Sequence, residues 1–210
     1  MRKRRVAALL IDADGVLLKK GALFSERLSV SQKIPKSKID AFFNREFRDC
    51  LVGRADVSEK IENYLKDWKW AGSVEDLLDF WHREIEPDAA LFNWALALRK
   101  RRRVLVYLAT NNESRRVSAI SKRLGLAKRF DGILSSASLG ATKPAQLFYG
   151  RAFKTLRERS PGILKSQIVL VDDDRANVKG AEEFGFGAIR YSGFSEFSKK
   201  IRRIFPELAT

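Results

Sequence analysis

The stretch that decides the fold runs from Val6 to Leu18 and reads VAALLIDADGVLL. Its first six residues are apolar and rich in strand formers, and this run is too short for a core helix. The run leads directly into Asp12 and Asp14, which are followed by Gly15. Two neighbouring carboxylates repel each other and are costly to bury, and a divalent cation removes that cost. The stretch is therefore either a buried strand that ends in a cation site or a strand followed by a solvated Asp-Gly turn.

Strand-like and helix-like segments alternate from Leu91 onward. The apolar runs Val104–Ala109 and Ile168–Val171 have the length and composition of buried strands. Shorter strands are predicted at Ile133–Leu134 and Ala188–Tyr191, and amphipathic helices separate the strands. Strands that are apolar on both faces and alternate with helices predict an α/β fold, with a central parallel sheet covered on both sides. In such sheets, ligands bind beyond the carboxyl ends of the strands.

The segment between residues 19 and 90 has a different pattern, with helical periodicity and no strand signal. Its apolar residues form three faces at helical spacing, and Asp56 with Glu59 resembles a capping box at the start of the second face. We therefore predict two parts. Residues 1–18 and 91–210 form the α/β core, and residues 19–90 form an all-helical insertion after the first strand.

Composition restricts the class of protein. A hydrophobic content of 45% with 32% charged residues is ordinary for a globular chain. The single cysteine, Cys50, excludes an internal disulfide and suits a reducing compartment. The single histidine, His82, excludes a histidine-rich zinc site, and its place in an amphipathic helix favours a structural or surface role. No apolar segment has the length of a membrane span, so we expect a cytoplasmic protein that does not enter the membrane.

The formal net charge of +15 permits binding to nucleic acid or to a membrane surface. The densest basic run, residues 99–103, lies where a helix is predicted to end, and cations suit a helix C-terminus. That run contains no aromatic residue of the kind that stacks on bases. We therefore expect the charge to attract small anions, rather than nucleic acid as the main partner.

Polar residues suited to binding a metal ion and a phosphate group follow the three long apolar runs. They are Asp12 and Asp14 after the first, Thr110, Asn111 and Asn112 after the second, Asp172, Asp173 and Asp174 after the third, and Lys143 in a loop that opens a helix. Each alone has an ordinary explanation as a helix cap or turn residue. If the strands are parallel, however, all of them meet at one edge of the sheet. The combination predicts a metal and phosphate site there.

These motifs resemble the haloacid dehalogenase superfamily of hydrolases, in the subgroup with a helical cap inserted after the first strand. The matching motifs, in the order of the family, are Asp12-Ala13-Asp14-Gly15-Val16, Thr110-Asn111, Lys143-Pro144 and Asp172-Asp173-Asp174-Arg175-Ala176-Asn177-Val178. The resemblance implies a Rossmann-like three-layer core around the parallel sheet. It also implies that residues 19–90 are a mobile cap that closes over the site and selects the substrate.

The resemblance also implies roles for individual residues. Asp12 would be the nucleophile that forms an aspartyl-phosphate, and Asp14 would be the general acid and base. Thr110 and the backbone N–H of Asn111 would bind phosphoryl oxygens. Lys143 would hold the nucleophile and the phosphate together against their mutual repulsion.

A magnesium ion is implied in the same way. Its protein ligands would be the carboxylates of Asp12 and Asp173 and the backbone carbonyl of Asp14. The two aspartates that flank Asp173 would support the site or cap the next helix, and Asn177 would orient the water molecules around the metal.

The acidic residue at position 14 separates two reaction types. Family members that cleave carbon–halogen bonds need neither this acid nor magnesium, so the sequence predicts a magnesium-dependent phosphatase acting on a small phosphorylated, anionic metabolite. Two alternatives stay open: a phosphomutase of the same family, and a non-catalytic basic nucleic-acid-binding protein on the same fold. Lys19, Lys20 and Arg54 are candidates for contact with an anionic leaving group, although an exposed surface role fits each of them singly.

Overall fold

A computed structural model describes residues 5–101 and 104–208, so the basic run at 99–103 lies partly outside the described residues. Five parallel strands form one sheet in the order β3-β2-β1-β4-β5. The strands are β1 (Ala8–Ile11), β2 (Leu105–Thr110), β3 (Gly132–Ser135), β4 (Ile168–Asp172) and β5 (Gly187–Arg190). The predicted parallel sheet and α/β class are thereby confirmed, with strand ends shifted by one or two residues.

Twelve α-helices are found in the described ranges. They are α1 (Phe24–Gln32), α2 (Lys36–Asn44), α3 (Phe47–Leu51), α4 (Val57–Glu62), α5 (Val74–His82), α6 (Ala89–Lys100), α7 (Ser114–Leu124), α8 (Leu126–Arg129), α9 (Ser136–Leu139), α10 (Gln146–Arg159), α11 (Arg175–Phe184) and α12 (Phe194–Ile204). Short 3-10 turns lie at Lys165–Gln167 and Pro206–Leu208. None of these helices is long and apolar enough to cross a membrane.

The sheet is the middle layer of three. Alternate side chains of a strand point to opposite faces, so Leu9 and Ile11 of β1 enter one apolar core while Leu10 enters the other. The first core is closed by helices α6, α7 and α12, and the second by α10 and α11. All three β1 side chains are fully buried, as expected for a central strand covered on both faces.

Helices α1 to α5 pack around a separate apolar core. Trp68 and Phe42 lie at its centre, with ring centroids 5.6 Å apart. Helix α4 ends at Glu62 although the apolar pattern continues to Trp68, because the chain turns there and Trp68 still reaches the core. Asp56 caps α4 by accepting a hydrogen bond from the Ser58 backbone at 2.8 Å, so the predicted capping box with Glu59 is replaced by a simple cap.

The segments that leave and re-enter the sheet run side by side. Lys19 N–H donates to the carbonyl of Glu86 at 2.9 Å, and Asp88 N–H donates to the carbonyl of Leu17 at 2.9 Å. These bonds place both ends of the helical segment next to the carboxyl end of β1. The helices are therefore anchored beside the predicted site.

Candidate active site

The carboxyl ends of the three central strands bring the predicted residues together. Ile11 pairs with Leu108 of β2 and Val171 of β4. The backbone N–H of Asp12 continues the ladder by donating to the Val171 carbonyl at 2.9 Å. Thr110, the last residue of β2, is 1% exposed. Regular strand pairing thus holds Asp12 at the sheet edge, as the sequence predicts.

A buried ammonium group joins two of these strand ends. Lys143 Nζ donates to Asp12 Oδ1 at 2.7 Å, to Asp172 Oδ2 at 2.5 Å and to the Ala109 carbonyl at 2.8 Å. The Lys143 side chain is 1% exposed and that of Asp172 is fully buried. Burial alone would lower the pKa of Lys143, but the two carboxylates outweigh it and raise the pKa, so the group stays charged. Burial raises the pKa of Asp12, while the Lys143 ammonium opposes that shift.

The loop that carries Lys143 is held by the side chain of Asn111. Asn111 Nδ2 donates to the Lys143 carbonyl at 2.9 Å, and Asn111 Oδ1 accepts from the Lys143 backbone N–H at 2.8 Å. The resemblance suggested a role for the Asn111 backbone alone. The structure adds that its amide fixes the position of the lysine.

Three carboxylates form a cluster that could hold a metal ion. One oxygen from each of Asp12, Asp172 and Asp173 lies within 4.8 Å of the others. Asp172 is already engaged, since it accepts bonds from Lys143, from the Asp174 backbone at 2.9 Å and from Asn177 Nδ2 at 3.1 Å. Burial and the charge of Asp172 raise the pKa of Asp173, as expected when a carboxylate faces other acids without a cation.

The flanking residues of the last motif support this cluster. Asp174 caps α11 by accepting from the Ala176 backbone at 2.6 Å, as one of the suggested alternatives had it. The buried Asn177 amide donates to both oxygens of Asp172. Asn177 therefore holds Asp172, and its suggested role in orienting metal-bound water stays a prediction.

Asp14 lies apart from the cluster, on the open side of the site. Its Oδ2 accepts from Asn112 Nδ2 at 2.7 Å, and its Oδ1 accepts from Arg116 Nη2. Asn112 also donates to Thr110 Oγ1 at 2.7 Å, which ties Asp14 to the end of β2. Asn112 was visible in the sequence as a second amide after the strand, but Arg116 carries no motif signal. Arg116 reaches Asp14 because it lies in the first turn of α7, beside the end of β2.

Gly15 permits the close approach of two chain segments. Its φ of +84° is in the left-handed region, and a Cβ there would lie 2.7 Å from Asp173 Oδ2. Only glycine therefore lets the Asp173 carboxylate reach the end of β1 without displacement.

The helical segment covers the open side of the site. A cavity of about 460 Å³ begins at Asp14 and extends to α1, α2 and α5, and Lys19 and Lys20 contribute to its wall. Lys19 forms an ion pair with Glu86. Arg54 does not line this cavity; its guanidinium pairs with Asp49 at 2.7 Å on the surface.

Polar contacts join α7 to the helices above it. Arg115 donates to Glu75 Oε1 at 3.0 Å and to Ser58 Oγ at 3.0 Å, and lies 3.4 Å from Asp56 Oδ2.

Nearby, His82 Nε2 lies 4.0 Å from a carboxylate oxygen of the buried Glu113. Burial lowers the pKa of His82 to about 4, so the imidazole is neutral in the folded protein.

Several basic side chains line a groove at the opposite end of the sheet from Asp12. A groove beside the amino-terminal ends of β1 and β2 is lined by Arg99, Lys100, Lys128, Arg129 and Arg159. Arg99 is paired with Asp131 at 3.2 Å. This basic groove is separated from Asp12 by the length of a strand, so it does not contribute to the site.

Comparison with known proteins identifies the family. The model of haloacid dehalogenase-like hydrolases matches residues 6–185. No curated protein matches the chain by sequence.

Solved structures show the same fold. A haloacid dehalogenase (HAD) family enzyme from Bacteroides thetaiotaomicron is 19% identical, with a TM-score of 0.77 over 95% of this chain and 100% of its own. That enzyme has also been solved with magnesium and inorganic phosphate (20% identity, TM-score 0.69, 91% and 98% coverage). The L-2-haloacid dehalogenase from Xanthobacter autotrophicus is 18% identical, with a TM-score of 0.58 and coverage of 95% and 82%. Because the family model spans the chain from the first strand through α11, the chain belongs to the haloacid dehalogenase-like hydrolases.

Proposed function

We propose that this hydrolase is a magnesium-dependent phosphatase that acts on a small phosphomonoester through an aspartyl-phosphate. The observation that carries the proposal is the pair of acids at the end of β1. Asp12 is buried against Lys143 and two further carboxylates, whereas Asp14 is exposed at the mouth of the cavity. Two carboxyl groups in such different surroundings suit two different roles, one as nucleophile and one as acid and base.

The residues present fit a magnesium ion. Asp12 and Asp173 offer carboxylate oxygens at one place, and in the described part of the chain no other residue donates a hydrogen bond to the Asp173 carboxylate. Burial, together with repulsion from Asp172, raises the pKa of Asp173, and a hard cation, which takes such oxygen ligands, would stabilise its charged form. Asp12, Asp173 and the backbone carbonyl of Asp14 would hold the ion. When bound, magnesium would offset the negative charge of the phosphoryl oxygens.

The chemistry of the chain follows from these positions. A carboxylate oxygen of Asp12 attacks phosphorus, and the ester P–O bond breaks as the new P–O bond forms. Asp14 gives its proton to the departing oxygen. Water then attacks phosphorus, Asp14 takes a proton from it, and the bond to Asp12 breaks to release inorganic phosphate. Lys143 holds Asp12 in place, and its positive charge offsets the negative charge of the phosphoryl group, to which the Thr110 hydroxyl donates a hydrogen bond.

The test is release of inorganic phosphate from p-nitrophenyl phosphate with magnesium. We expect turnover by the wild type, loss of turnover in Asp12→Asn, and full turnover in the exposed control Asp67→Asn. Chelation of magnesium should abolish activity and its addition restore it. Retained turnover in Asp12→Asn would remove the nucleophile from the proposal. In a separate incubation with sugar phosphates, isomerisation in place of phosphate release would point to a phosphomutase.

The role of Asp14 has its own test. Asp14→Asn should slow turnover by about 100-fold or more. Because p-nitrophenolate leaves without help from an acid, the first step should survive in this variant, and a protein mass increased by one phosphoryl group should accumulate. A fast variant, or one that never becomes phosphorylated, would contradict the assignment.

A further inference from the structure

The cavity above Asp14 has an aromatic wall. Its surface includes Phe24, Phe43, Phe47 and Trp81, all from the helical segment. The ring centroids of Phe43 and Phe47 are 5.0 Å apart, and each lies about as far from Trp81, at 5.4 and 5.5 Å. Phe43 and Phe47 are only half-buried, so ring surface remains open to an occupant.

Three of the polar side chains that line this cavity, Arg27, Asp40 and Arg116, already bond to protein groups. The Arg27 guanidinium donates to the carbonyls of Phe80 and Trp81 at 2.9 and 2.8 Å. Asp40 pairs with Lys36 at 2.7 Å, and Arg116 pairs with Asp14. A polyhydroxylated occupant would leave hydroxyl groups against aromatic rings without hydrogen-bond partners, which is unfavourable.

The position of Asp14 connects this cavity to the chemistry. In the proposed reaction Asp14 protonates the departing oxygen, so the leaving group must extend from phosphorus past Asp14. The cavity begins at that residue and continues to the aromatic wall, with the apolar side chain of Leu23, 57% exposed, also in its lining. Its volume of about 460 Å³ is in the range of small-molecule sites.

Resting on the phosphatase activity, we propose that the substrate is a phosphomonoester whose leaving group carries an aromatic ring. The ring lies against Phe43, Phe47 and Trp81, in the offset or edge-on arrangements that aromatic pairs prefer. The phosphate group lies at Asp12 and Lys143. The helical segment thus selects the substrate by burial of a flat apolar group, not by hydrogen bonds to hydroxyl groups.

The experiment compares three alkyl phosphates whose leaving alcohols have similar acidity: phenethyl phosphate, n-propyl phosphate and glucose 6-phosphate. Differences in kcat/KM then report on binding of the leaving group. We expect kcat/KM for phenethyl phosphate to exceed both others by about tenfold or more. Equal values, or a preference for glucose 6-phosphate, overturn the proposal.

Matched variants test whether the preference for phenethyl phosphate arises from the rings of the cavity. Phe43→Leu and Phe47→Leu keep most of the apolar volume but remove a ring, and each should reduce kcat/KM for phenethyl phosphate several-fold more than kcat/KM for n-propyl phosphate. Phe194→Leu, on α12, is the control and should change neither. An equal reduction for both substrates overturns the proposal.

A binding measurement separates this inference from the activity on which it rests. Titration calorimetry with phenethylphosphonate and n-propylphosphonate requires no turnover. Tighter binding of phenethylphosphonate, by about tenfold, in a protein that hydrolyses no phosphate ester would uphold the aromatic site and refute the phosphatase. Hydrolysis of n-propyl phosphate with equal binding of the two phosphonates would do the reverse.

Discussion

Replacement of Lys143 by methionine tests how the buried charges of the site are balanced. The substitution keeps most of the side-chain volume but removes an ammonium that contacts Asp12 at 2.7 Å and Asp172 at 2.5 Å. At an effective dielectric constant of about 20, each attraction amounts to about 6 kcal/mol, much of it offset by desolvation of the charges. Removal of one partner from such a buried set costs about 3–5 kcal/mol. We expect this loss in the free energy of unfolding, measured in urea without magnesium.

The loss should also depend on pH. Without the ammonium, burial and mutual repulsion raise the pKa of the remaining acidic pair in the folded state. The folded state then binds more protons than the unfolded state, so the variant should lose stability as the pH rises from about 5 to about 8. Wild type should show a shallower slope, because the Lys143 ammonium opposes the rise in the pKa of Asp12 that burial causes.

Two further variants test whether the loss of stability comes from the unpaired buried carboxylates. Lys20→Met, an exposed lysine at the same edge, should change stability by less than about 0.5 kcal/mol. Adding Asp172→Asn to Lys143→Met should restore part of the loss, since one of the unpaired charges is removed. A loss below about 1 kcal/mol for Lys143→Met, or no recovery in the double variant, would refute the reasoning.

Three other substitutions address the surroundings of the site. Gly15→Ala should weaken magnesium binding, measured by calorimetry, because the added Cβ would lie 2.7 Å from Asp173 Oδ2. The control is Gly162→Ala, at a similar φ of +87°; its added Cβ would have no atom within 4 Å, so this variant should bind magnesium normally. Arg115→Met should raise KM, because Arg115 joins α7 to the helices that cover the site. It should lower the free energy of unfolding by no more than about 1 kcal/mol, since the side chains in its ion pairs are 40% exposed or more. Because burial lowers the pKa of His82 to about 4, wild-type stability should fall between about pH 6.5 and pH 4, and urea titrations of His82→Asn should show a smaller fall.

The sheet was predictable because its strands are short, apolar on both faces and separated by helices. The pattern placed β2 within one residue of its observed bounds. The helical segment was less predictable in detail. Trp68 continues the apolar spacing of α4 although the helix ends at Glu62, because a turn can place an apolar side chain in a core as well as a helix can.

The acidic residues of the site were predictable for a topological reason: parallel strands end at one edge, so polar residues that follow them meet. The contact between Arg116 and Asp14 was not, because it depends on how α7 is oriented over the strand end. Nor was the loss of Arg54 from the site, since its pairing with Asp49 is a local surface contact. The aromatic rings of the cavity appeared in the sequence as helical faces, and only packing shows which of them line an open space.

The two connections between the sheet and the helical segment are hydrogen-bonded to each other, and this pairing bears on how the helical segment is attached. The outgoing chain at Lys19 is bonded to the returning chain at Glu86, and the same holds for Leu17 and Asp88. The two linkers are therefore tied to each other, and we expect any movement of the helices above them to pivot at this one place. Any replacement module needs only two ends about 5 Å apart, the spacing of neighbouring strands. We therefore expect that the helical segment can be replaced by another insertion without displacing the ends of the strands.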